Sequence, residues 1–263
     1  MLLAEKVGIV TGGAKGIGRA IATLFAKEGC SVVIADIEVD KGEEVASIIR
    51  EQGGLAVYVH CDVTKFSDVS KAVDFTVSKF EKVDILVNNA GGIFGPEGNI
   101  EEITEEMWDR VVNLNLKSQF LCCKAVVPHM KRRRYGKIIN ISSMGALFPP
   151  LPVIHYAAAK AGVLGLTTNL AQELAVYNIN VNAILPGPIR TSFHEPVLGK
   201  MEEKERELFY QRIAKTEVPL RRVGMPEDIA GVALFLASEL SSYLTGAFIF
   251  AGGGLPLAVW PHE

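Results

Sequence analysis

Short runs of β-branched and other apolar residues alternate with longer helical stretches along almost the whole chain, and this alternation strongly limits the possible folds. The predicted strands are Val7–Thr11, Ser31–Asp36, Ala56–Cys61, Ile85–Asn88, Lys137–Ser142, Asn180–Leu185 and Ala247–Phe250. Most of them are continuously apolar, as expected of parallel strands that helices cover on both faces. The helical stretches are predicted at Gly18–Glu28, Val39–Gln52, Ser67–Phe80, Glu105–Arg132, His155–Tyr177 and Pro226–Ser238. Because strand–helix–strand crossovers are right-handed, the pattern predicts an α/β fold with a doubly wound, parallel, seven-stranded sheet.

Two insertions interrupt the alternation, and both follow the end of a predicted strand. Gly91–Ile103 is rich in glycine, and Arg190–Leu220 contains an acidic helical stretch at Met201–Ala214. Since ligands of open α/β sheets bind at the carboxyl ends of the strands, both insertions are expected to wall one cleft, with Ser192–Lys215 as a possible lid. With 263 residues and no linker, the chain is expected to form a single domain, 1–263, that carries a substrate-loop insertion at about 190–220.

Composition argues against several classes of function. The formal net charge of -3 and the pI near 6.0 disfavour a nucleic-acid-binding protein. The basic run Lys131–Arg134 follows a helical pattern, and cations suit a helix C-terminus. The uncharged stretch Leu240–Trp260 contains several glycines and Pro256, which favours a buried strand and turn over a membrane span. The chain is therefore expected to bind neither nucleic acid nor membrane.

The cysteines and the N-terminus indicate a cytoplasmic protein. The chain has four cysteines, at Cys30, Cys61, Cys122 and Cys123. They show no C-x-x-C spacing, so free core thiols in a reducing cytosol are expected. The first strand begins at Val7, which leaves no room for a signal peptide. His60–Asp62 are consecutive polar residues that alternate between the two faces of an extended segment, so no metal site is expected.

The segment Thr11–Gly18, with the sequence TGGAKGIG, directly follows the first predicted strand. Glycines let a backbone approach a pyrophosphate, and the amides of the next helix N-terminus point at it. The segment is not a P-loop, because Arg19–Ala20 stand where Lys and Ser/Thr are required. It also lacks the last glycine of the G-x-G-x-x-G fingerprint, where Ile21 stands. A tight turn without a ligand is the alternative, but the order of strand, turn and helix favours a nucleotide site.

Asp36 ends the second predicted strand, 20 residues beyond Gly16. A carboxylate at this place can accept hydrogen bonds from the adenosine ribose hydroxyls and would repel a 2′-phosphate. The next residue is Ile37, so no cation follows it, whereas Lys15 within the turn is a sign in the opposite direction. The alternative is an ordinary strand-end residue. The spacing favours the ribose role and predicts NAD as the cofactor.

Tyr156 and Lys160 are four residues apart in a segment that otherwise reads as a buried helix. Residues at this separation lie on one helix face, so the phenol is expected beside the ammonium group. A nearby cation lowers a tyrosine pKa from its usual value of about 10, and a phenol that exchanges protons near neutral pH can act as general acid or base. A chance pair on a helix surface is the alternative.

Several motifs together resemble the short-chain dehydrogenase/reductase family over almost the whole chain. They are TGGAKGIG at 11–18, Asp62–Val63, Asn88–Gly91, Asn115, Ser143, Tyr156 with Lys160, and Pro186–Gly187. Each is weak alone, but all occur in order and at the family's spacing. The resemblance implies a Rossmann-like fold and the family's single-domain oxidoreductase branch.

The same resemblance implies residue roles. Asn115, Ser143, Tyr156 and Lys160 are the implied catalytic residues, with Asn115 bonding a water near the lysine. Ser143 is chosen over Ser142 because it lies 13 residues before the tyrosine, and Ser142 is expected to face away. The implied cofactor-binding residues are Gly12, Lys15, Gly16, Ile17, Gly18, Asp36, Asp62, Val63, Asn89, Ala90, Gly91, Tyr156, Lys160, Pro186, Gly187, Ile189 and Thr191.

The predicted function is hydride transfer between NAD and a secondary alcohol or ketone, with Tyr156 as the acid/base. Apolar residues near the cleft suit a hydrophobic small-molecule substrate; they are Ile93, Phe94, Met144, Leu147, Phe148, Pro149, Leu151, Ile154, Pro188 and Phe193. The helices Glu105–Arg132 and His155–Tyr177 are apolar on more than one side, and relatives commonly form tetramers through them, so a homotetramer is expected before a dimer. The alternatives are an NADP-dependent reductase of 3-oxoacyl thioesters and a nucleotide-binding relative without catalysis.

Overall fold

A computed structural model describes residues 1–93, 99–149, 153–191 and 202–257, and within them the strands form one parallel sheet. The strands are β1 (Val7–Thr11), β2 (Ser31–Asp36), β3 (Leu55–His60), β4 (Ile85–Asn88), β5 (Gly136–Ile141), β6 (Ile179–Pro186) and β7 (Phe248–Ala251). Their order across the seven-stranded sheet is β3-β2-β1-β4-β5-β6-β7. The doubly wound α/β fold is confirmed, and each predicted strand differs from the observed one by one residue or less at either end.

Helices cover both faces of this sheet. The α-helices are α1 (Gly16–Lys27), α2 (Val39–Glu51), α3 (Phe66–Phe80), α4 (Glu105–Val112), α5 (Ser118–Arg133), α6 (Ile154–Leu174), α7 (Glu203–Thr216) and α8 (Pro226–Ala237). The helical stretch predicted at Glu105–Arg132 is present, but it is not α-helical throughout. A π-helical turn at Asn113–Lys117 separates α4 from α5. Such turns are rare and concentrate at functional sites, and no periodicity of apolar residues reveals them.

The core has two parts because neighbouring strand residues point to opposite faces. On β1, Val10 packs in a buried cluster with residues of α1, α2 and α8. The adjacent Ile9 packs in a second cluster with residues of α3, α5 and α6. This double burial explains why the strands read as continuously apolar rather than alternating.

Polar side chains hold the carboxyl ends of the central strands together. The Asn89 amide at the end of β4 donates to the carbonyls of Thr11 and Gly12 at 2.9 and 3.0 Å. Asn88 donates to Asn140 Oδ1 on β5 at 2.9 Å, and Asn140 Nδ2 donates to Thr167 Oγ1 on α6 at the same distance. The Asn89 bonds lie where the strand order reverses between β1 and β4, the place where α/β sheets open a crevice.

No helix among the described residues is long and apolar enough to cross a membrane. In the same part of the chain, no group of three or more His, Cys, Asp or Glu side chains is arranged to hold a metal ion. The four cysteines are buried free thiols.

Gly18 in α1 is expected to be intolerant of any side chain. A Cβ at this position would lie 2.1 Å from the Gly12 carbonyl oxygen, so Gly18→Ala should lower the free energy of unfolding by roughly 1–3 kcal/mol. A Cβ at Gly231 in α8 meets nothing within 4 Å, so Gly231→Ala should raise stability by up to about 1 kcal/mol. Urea unfolding of both variants tests this, and equal effects of the two substitutions would contradict it.

Candidate active site

A cleft of about 590 Å³ opens at the carboxyl edge of the sheet. Its lining includes predicted site residues from the glycine turn and from the ends of β2, β3, β4, β5 and β6. These are Gly12, Lys15, Gly16, Ile17, Asp36, Asp62, Val63, Asn89, Ala90, Gly91, Ser143, Tyr156, Lys160, Pro186, Gly187, Ile189 and Thr191. Gly18 and Asn115 are outside this lining. Gly18 packs against Gly12, and Asn115 is completely buried behind the cleft.

The glycine turn forms a cradle that side chains would fill. Gly12 and Gly16 have positive φ angles of +63° and +53°, a backbone conformation that favours glycine. A Cβ on Gly12 would lie 2.9 Å from the Ala90 Cα atom, so β1 and the loop after β4 approach closely there. Helix α1 begins at Gly16, and its first turn borders the cleft through Gly16 and Ile17. The unbonded amides of a helix start make this a suitable place for an anion.

Asp36 lies at the side of the cleft and is fastened to the glycine turn. Its Oδ2 accepts a hydrogen bond from the Ala14 amide at 2.9 Å, and its Oδ1 accepts one from the Glu38 amide at 3.0 Å. Only 8% of the residue is exposed, and its carboxylate adds negative charge to the lining. The sheet and the turn thus determine where this charge lies.

Glu38 is a cleft residue that sequence reasoning missed. Its carboxylate forms ion pairs with Lys15 and, at 2.6 Å, with Lys41. Hydrogen bonds from these two lysines lower the pKa of Glu38. Lys15, the cation within the glycine turn, is therefore paired with a carboxylate. The sequence did contain a signal for Glu38, because this acidic residue follows two positions after the aspartate that ends β2.

The end of β3 contributes Cys61, Asp62 and Val63 to the cleft. Asp62 Oδ1 accepts hydrogen bonds from the amide and hydroxyl of Thr64 at 3.0 and 2.6 Å. Partial burial opposes ionisation of Asp62, but the bonds from Thr64 prevail and its pKa is lowered. Burial raises the pKa of Cys61 to about 12, so its thiol is not a reactive thiolate at neutral pH.

Tyr156, Lys160 and Ser143 meet at the other end of the cleft. Both helix residues are buried, with 8% of Tyr156 and 3% of Lys160 exposed. Lys160 Nζ lies 5.6 Å from the centre of the Tyr156 ring and donates a hydrogen bond to the Ile141 carbonyl at 2.9 Å. The Ser143 side chain is hydrogen bonded with Tyr156 and accepts from the Gly145 amide at 3.0 Å. The first two turns of α6 and the end of β5 position these groups.

The pKa shifts at this pair are dominated by burial. Burial raises the pKa of Tyr156 to about 12, although the hydrogen bond with Ser143 acts in the opposite direction. Burial lowers the pKa of Lys160 to about 7. The expectation that Lys160 lowers the tyrosine pKa below its ordinary value is therefore wrong for this structure. Two groups desolvated together each favour their neutral form, and this effect exceeds the attraction between their ions.

Asn115 lies in the π-helical turn, and its side-chain amide forms hydrogen bonds with other residues of the protein. Its Nδ2 donates to the carbonyls of Gly92 at 2.8 Å and Val111 at 3.0 Å. Its Oδ1 accepts from the Gly92 amide at 3.2 Å. A Cβ on Gly91 would lie 2.7 Å from this oxygen and 3.3 Å from Lys160 Nζ. The side chain thus holds the loop after β4 against the lysine; the water bond implied by the resemblance stays a prediction.

The two adjacent serines have different partners. Ser142 Oγ donates to the Lys160 backbone carbonyl at 2.8 Å and is buried. Ser143 is the serine that contacts Tyr156. The choice of Ser143 agrees with this contact, but the expectation that Ser142 faces away is wrong, because Ser142 also lines the cleft.

The substrate side of the cleft is described only in part. Ile93 lines it and packs with Val111, Val153 and Tyr156. Three of the apolar residues expected there, Phe94, Leu151 and Phe193, lie outside the described residues, and so does the first part of the expected lid, 192–201. The later part of the expected lid forms α7, which Arg190 contacts through Glu207 at 2.7 Å.

Comparison with known proteins places the chain in a family. A family model described as "Enoyl-(Acyl carrier protein) reductase" matches residues 12–256. The human protein named Dehydrogenase/reductase SDR family member 4 is 38% identical over 254 residues, covering 97% of this chain and 88% of its own. The chain belongs to the short-chain dehydrogenase/reductase family. This member is therefore an oxidoreductase of a family that uses a nicotinamide cofactor.

Other relatives of this short-chain dehydrogenase/reductase have more specific names. The 3-oxoacyl-(acyl-carrier-protein) reductase FabG of Thermotoga maritima is 42% identical over 258 residues, covering 97% of this chain and 99% of its own. The crystal structure of levodione reductase superposes with a TM-score of 0.89 at 32% identity, covering 96% and 98% of the two chains. A putative short-chain alcohol dehydrogenase from Sinorhizobium meliloti gives a TM-score of 0.87 at 33% identity, covering 98% of each chain.

The residues of this family member fit a dinucleotide. A pyrophosphate must approach the backbone closely, and the glycines at 12 and 16 leave that space open. At both positions another residue would have to adopt an unfavourable positive φ, and a Cβ on Gly12 would also contact Ala90. Asp36 and Asp62 line the cleft on one side of the cradle, and Tyr156 and Lys160 line it as well.

The buried Lys160 is expected to make stability depend on pH. Its folded pKa of about 7 lies below the ordinary value of 10.5, so between these values the unfolded chain binds a proton that the folded chain does not. The free energy of unfolding should therefore rise with pH from about 7, by at most about 1.4 kcal/mol per unit from this group. Lys160→Met should lose this contribution. Urea unfolding of both proteins between pH 7 and 9 measures the difference, and parallel curves would refute it.

Proposed function

We propose that this protein is an NAD-dependent oxidoreductase that interconverts a secondary alcohol and a ketone, with Tyr156 as the acid/base. One observation carries the proposal: the glycine cradle, Asp36, Ser143, Tyr156 and Lys160 border the same cleft. A scaffold protein that had lost catalysis would have no need of a lysine that is 3% exposed next to a buried tyrosine. A single domain carries both cofactor binding and catalysis in this proposal.

Tyr156 handles the proton. With a pKa of about 12, its hydroxyl is protonated at neutral pH and is suited to donate to a carbonyl oxygen during reduction. In oxidation the phenolate takes the proton of the alcohol. Ser143, which is bonded with Tyr156, donates a hydrogen bond to the same substrate oxygen. A nicotinamide cofactor held in the cleft would be the source or the acceptor of the hydride.

Lys160 orients the cofactor in this proposal. Its ammonium is anchored on the Ile141 carbonyl at 2.9 Å and faces the cleft beside Tyr156. From there it would hold the nicotinamide ribose hydroxyls. With a pKa of about 7, it can exchange protons near neutral pH. Asn115 supports it by fixing the Gly91–Gly92 backbone, and a water bonded by Asn115 would extend the proton relay.

The remaining lining residues hold the cofactor in this proposal. The turn from Gly12 to Gly18 receives the pyrophosphate, and Asp36 accepts bonds from the adenosine ribose. Asp62 and Val63 contact the adenine. The residues proposed to flank the nicotinamide and its phosphates are Asn89, Ala90, Gly91, Pro186, Gly187, Ile189 and Thr191.

Charge supports NAD over NADP. Asp36 and Glu38 both line the cleft, and the one cation of the turn, Lys15, is already paired with Glu38. A 2′-phosphate would have to displace Glu38 from Lys15 and approach the Asp36 carboxylate, which like charge disfavours.

The substrate is proposed to be a hydrophobic or cyclic alcohol or ketone, because Ile93 and its apolar neighbours border the catalytic end. The likeness to levodione reductase supports a ketone substrate. The 42% identity to a 3-oxoacyl-(acyl-carrier-protein) reductase favours a second candidate, reduction of a 3-oxoacyl thioester. Turnover of NADH with cyclic ketones, compared with turnover with acetoacetyl thioesters, separates the two.

The proposal also includes the oligomeric state and the location of the protein, which we expect to be a homotetramer in the cytoplasm. Helices α4, α5 and α6 expose large apolar side chains on the side away from the sheet, and Trp108, Phe120 and Ile154 are more than a third exposed. Such a surface is suited to packing against further copies of the chain.

The role of Tyr156 is tested by removing its hydroxyl. Tyr156→Phe is expected to lower turnover of secondary alcohols with NAD by about 10²- to 10⁴-fold, because no hydroxyl at this position then accepts the proton of the alcohol. NADH binding, followed by fluorescence, should stay nearly unchanged. Tyr243→Phe makes the same chemical change at a fully exposed site and should not affect turnover. Near-normal turnover of Tyr156→Phe would overturn the proposed function.

Cofactor preference is tested by reversing the charge near the adenosine ribose. Asp36→Ala with Ile37→Arg should lower the ratio of kcat/KM for NAD to that for NADP by at least about tenfold, or about 1.4 kcal/mol. Val39→Arg with Asp40→Ala makes the same change in charge three residues further along, outside the cleft lining, and should leave the ratio unchanged.

Glu38→Gln provides a milder variant that keeps Asp36. It releases Lys15 from its ion pair, so NADP should bind better and the ratio should move in the same direction. A ratio that stays the same in both the double variant and Glu38→Gln would refute the assignment of NAD preference to this corner.

A further inference from the structure

Gln119 is a buried polar residue of α5 that neither the sequence analysis nor the proposed mechanism uses. It is 1% exposed and lies two residues after the π-helical turn that contains Asn115. Its Nε2 donates a hydrogen bond to the Ile141 carbonyl at 3.1 Å. The same carbonyl accepts the Lys160 ammonium at 2.9 Å. Gln119 and Lys160 therefore come from different helices and share one acceptor.

The position of this acceptor follows from the sheet. The register between β4 and β5 ends at the pair Asn88–Asn140, one residue before Ile141. The carbonyl of Ile141 therefore lies just beyond the last paired residues of β4. A carbonyl oxygen has two lone pairs, so it can accept from both side chains. Its negative charge is then divided between two donors, and each bond is weaker than it would be alone.

We propose that Gln119 is a positioning residue for Lys160, acting through the Ile141 carbonyl to set where the ammonium lies and how strongly it is held. This inference rests on the proposed function for its catalytic meaning. Gln119 contacts no atom of the proposed reaction centre; its effect on the reaction passes through Lys160.

A second observation supports a role beyond fastening α5 to the sheet. The Oε1 atom of Gln119 is buried and has no hydrogen-bond partner among the described residues. A buried acceptor without a partner costs about 1–3 kcal/mol, more than its amide bond to a neutral carbonyl returns. An apolar side chain of similar size would pack there without this cost. The amide is therefore better explained by its effect on the shared carbonyl.

The surroundings of Lys160 make it sensitive to such a neighbour. Tyr156 is the ionisable group beside it on α6. The groups that face it from β5 and from the loop after β4 are neutral, namely Ser142, Ser143 and Gly91. Its pKa is lowered by burial, and no carboxylate among the described residues contributes to the shift. The Ile141 carbonyl is thus the polar contact that stabilises the ammonium form.

The direction of the effect follows from the dipole of the amide. The Gln119 Nε2–H group brings positive charge to the Ile141 carbonyl and shares its electrons. Removing it should leave the carbonyl a better acceptor for the ammonium. Gln119→Met, which has similar length and no donor, should therefore raise the Lys160 pKa by at least about half a unit, a threefold change in its acid dissociation constant.

The experiment reads the lysine directly. The full-length protein is labelled with lysine carrying ¹³C at Cε, and the Lys160 signal is assigned by its loss in Lys160→Met. Its chemical shift is then titrated in the wild type, in Gln119→Met and in Thr76→Val. Thr76 is a buried residue of α3 whose hydroxyl donates to the Ala72 carbonyl at 2.7 Å, so its substitution removes a comparable bond far from the cleft. Thr76→Val should leave the Lys160 titration unchanged.

A raised Lys160 pKa in Gln119→Met, with an unchanged one in Thr76→Val, supports the positioning role. Equal Lys160 pKa values in all three folded proteins would overturn it. The Gln119 hydrogen bond would then serve only to attach α5 to the sheet. Should Gln119→Met not fold, Gln119→Asn retains the amide but shortens its reach, and the same shift is expected.

The titration needs no substrate, so its result is independent of the proposed function. A shifted lysine combined with full turnover in Tyr156→Phe would retain the positioning role and reject the proposed chemistry. If both proposals hold, the pH at which NADH-dependent turnover changes in Gln119→Met should move by the same amount as the Lys160 pKa.

Discussion

All the parts of the site depend on parallel strands that end at one edge of the sheet. Because the strands run in the same direction, residues far apart in the chain, such as Asp36, Asn89 and Ser143, follow strands whose carboxyl ends are neighbours. The Asn89 amide then joins the end of β4 to the end of β1 and holds the glycine turn in place. The cleft is therefore a consequence of topology first and of side-chain chemistry second.

Burial decides the electrostatics at Tyr156 and Lys160. The tyrosine and lysine share a helix face, as their spacing requires, but their shared apolar surroundings shift both pKa values toward the neutral forms. A phenol with a raised pKa is a proton donor at neutral pH, which matches carbonyl reduction more directly than alcohol oxidation. The ammonium is supported by a backbone carbonyl at the end of β5 rather than by a carboxylate.

At the opposite end of the cleft, Lys15 and Glu38 compensate each other's charge. Lys15 in the turn suggests affinity for a phosphate when the sequence is considered alone, but its partner Glu38 cancels that charge. The pair lies beside Asp36, whose two oxygens are held by backbone amides of the turn and of Glu38. The corner thus presents the Asp36 carboxylate beside a lysine whose charge Glu38 already balances.

The fold and most of the site were predictable from the sequence because they depend on local pattern and spacing. Continuous apolar runs gave strands within one residue of the observed ends, and the resemblance to the family implied the lining residues from Gly12 to Thr191. The π-helical turn, the pairing of Lys15 with Glu38, the shift of the Tyr156 pKa and the contact of Gln119 with Ile141 were not predicted. Each of these depends on distances between elements or on the degree of burial, which residue identity and spacing do not contain. The sequence by itself determined which chemical groups this protein has and in what order its elements fold; only the tertiary structure decided which groups share an acceptor, which charges cancel and which lose their water.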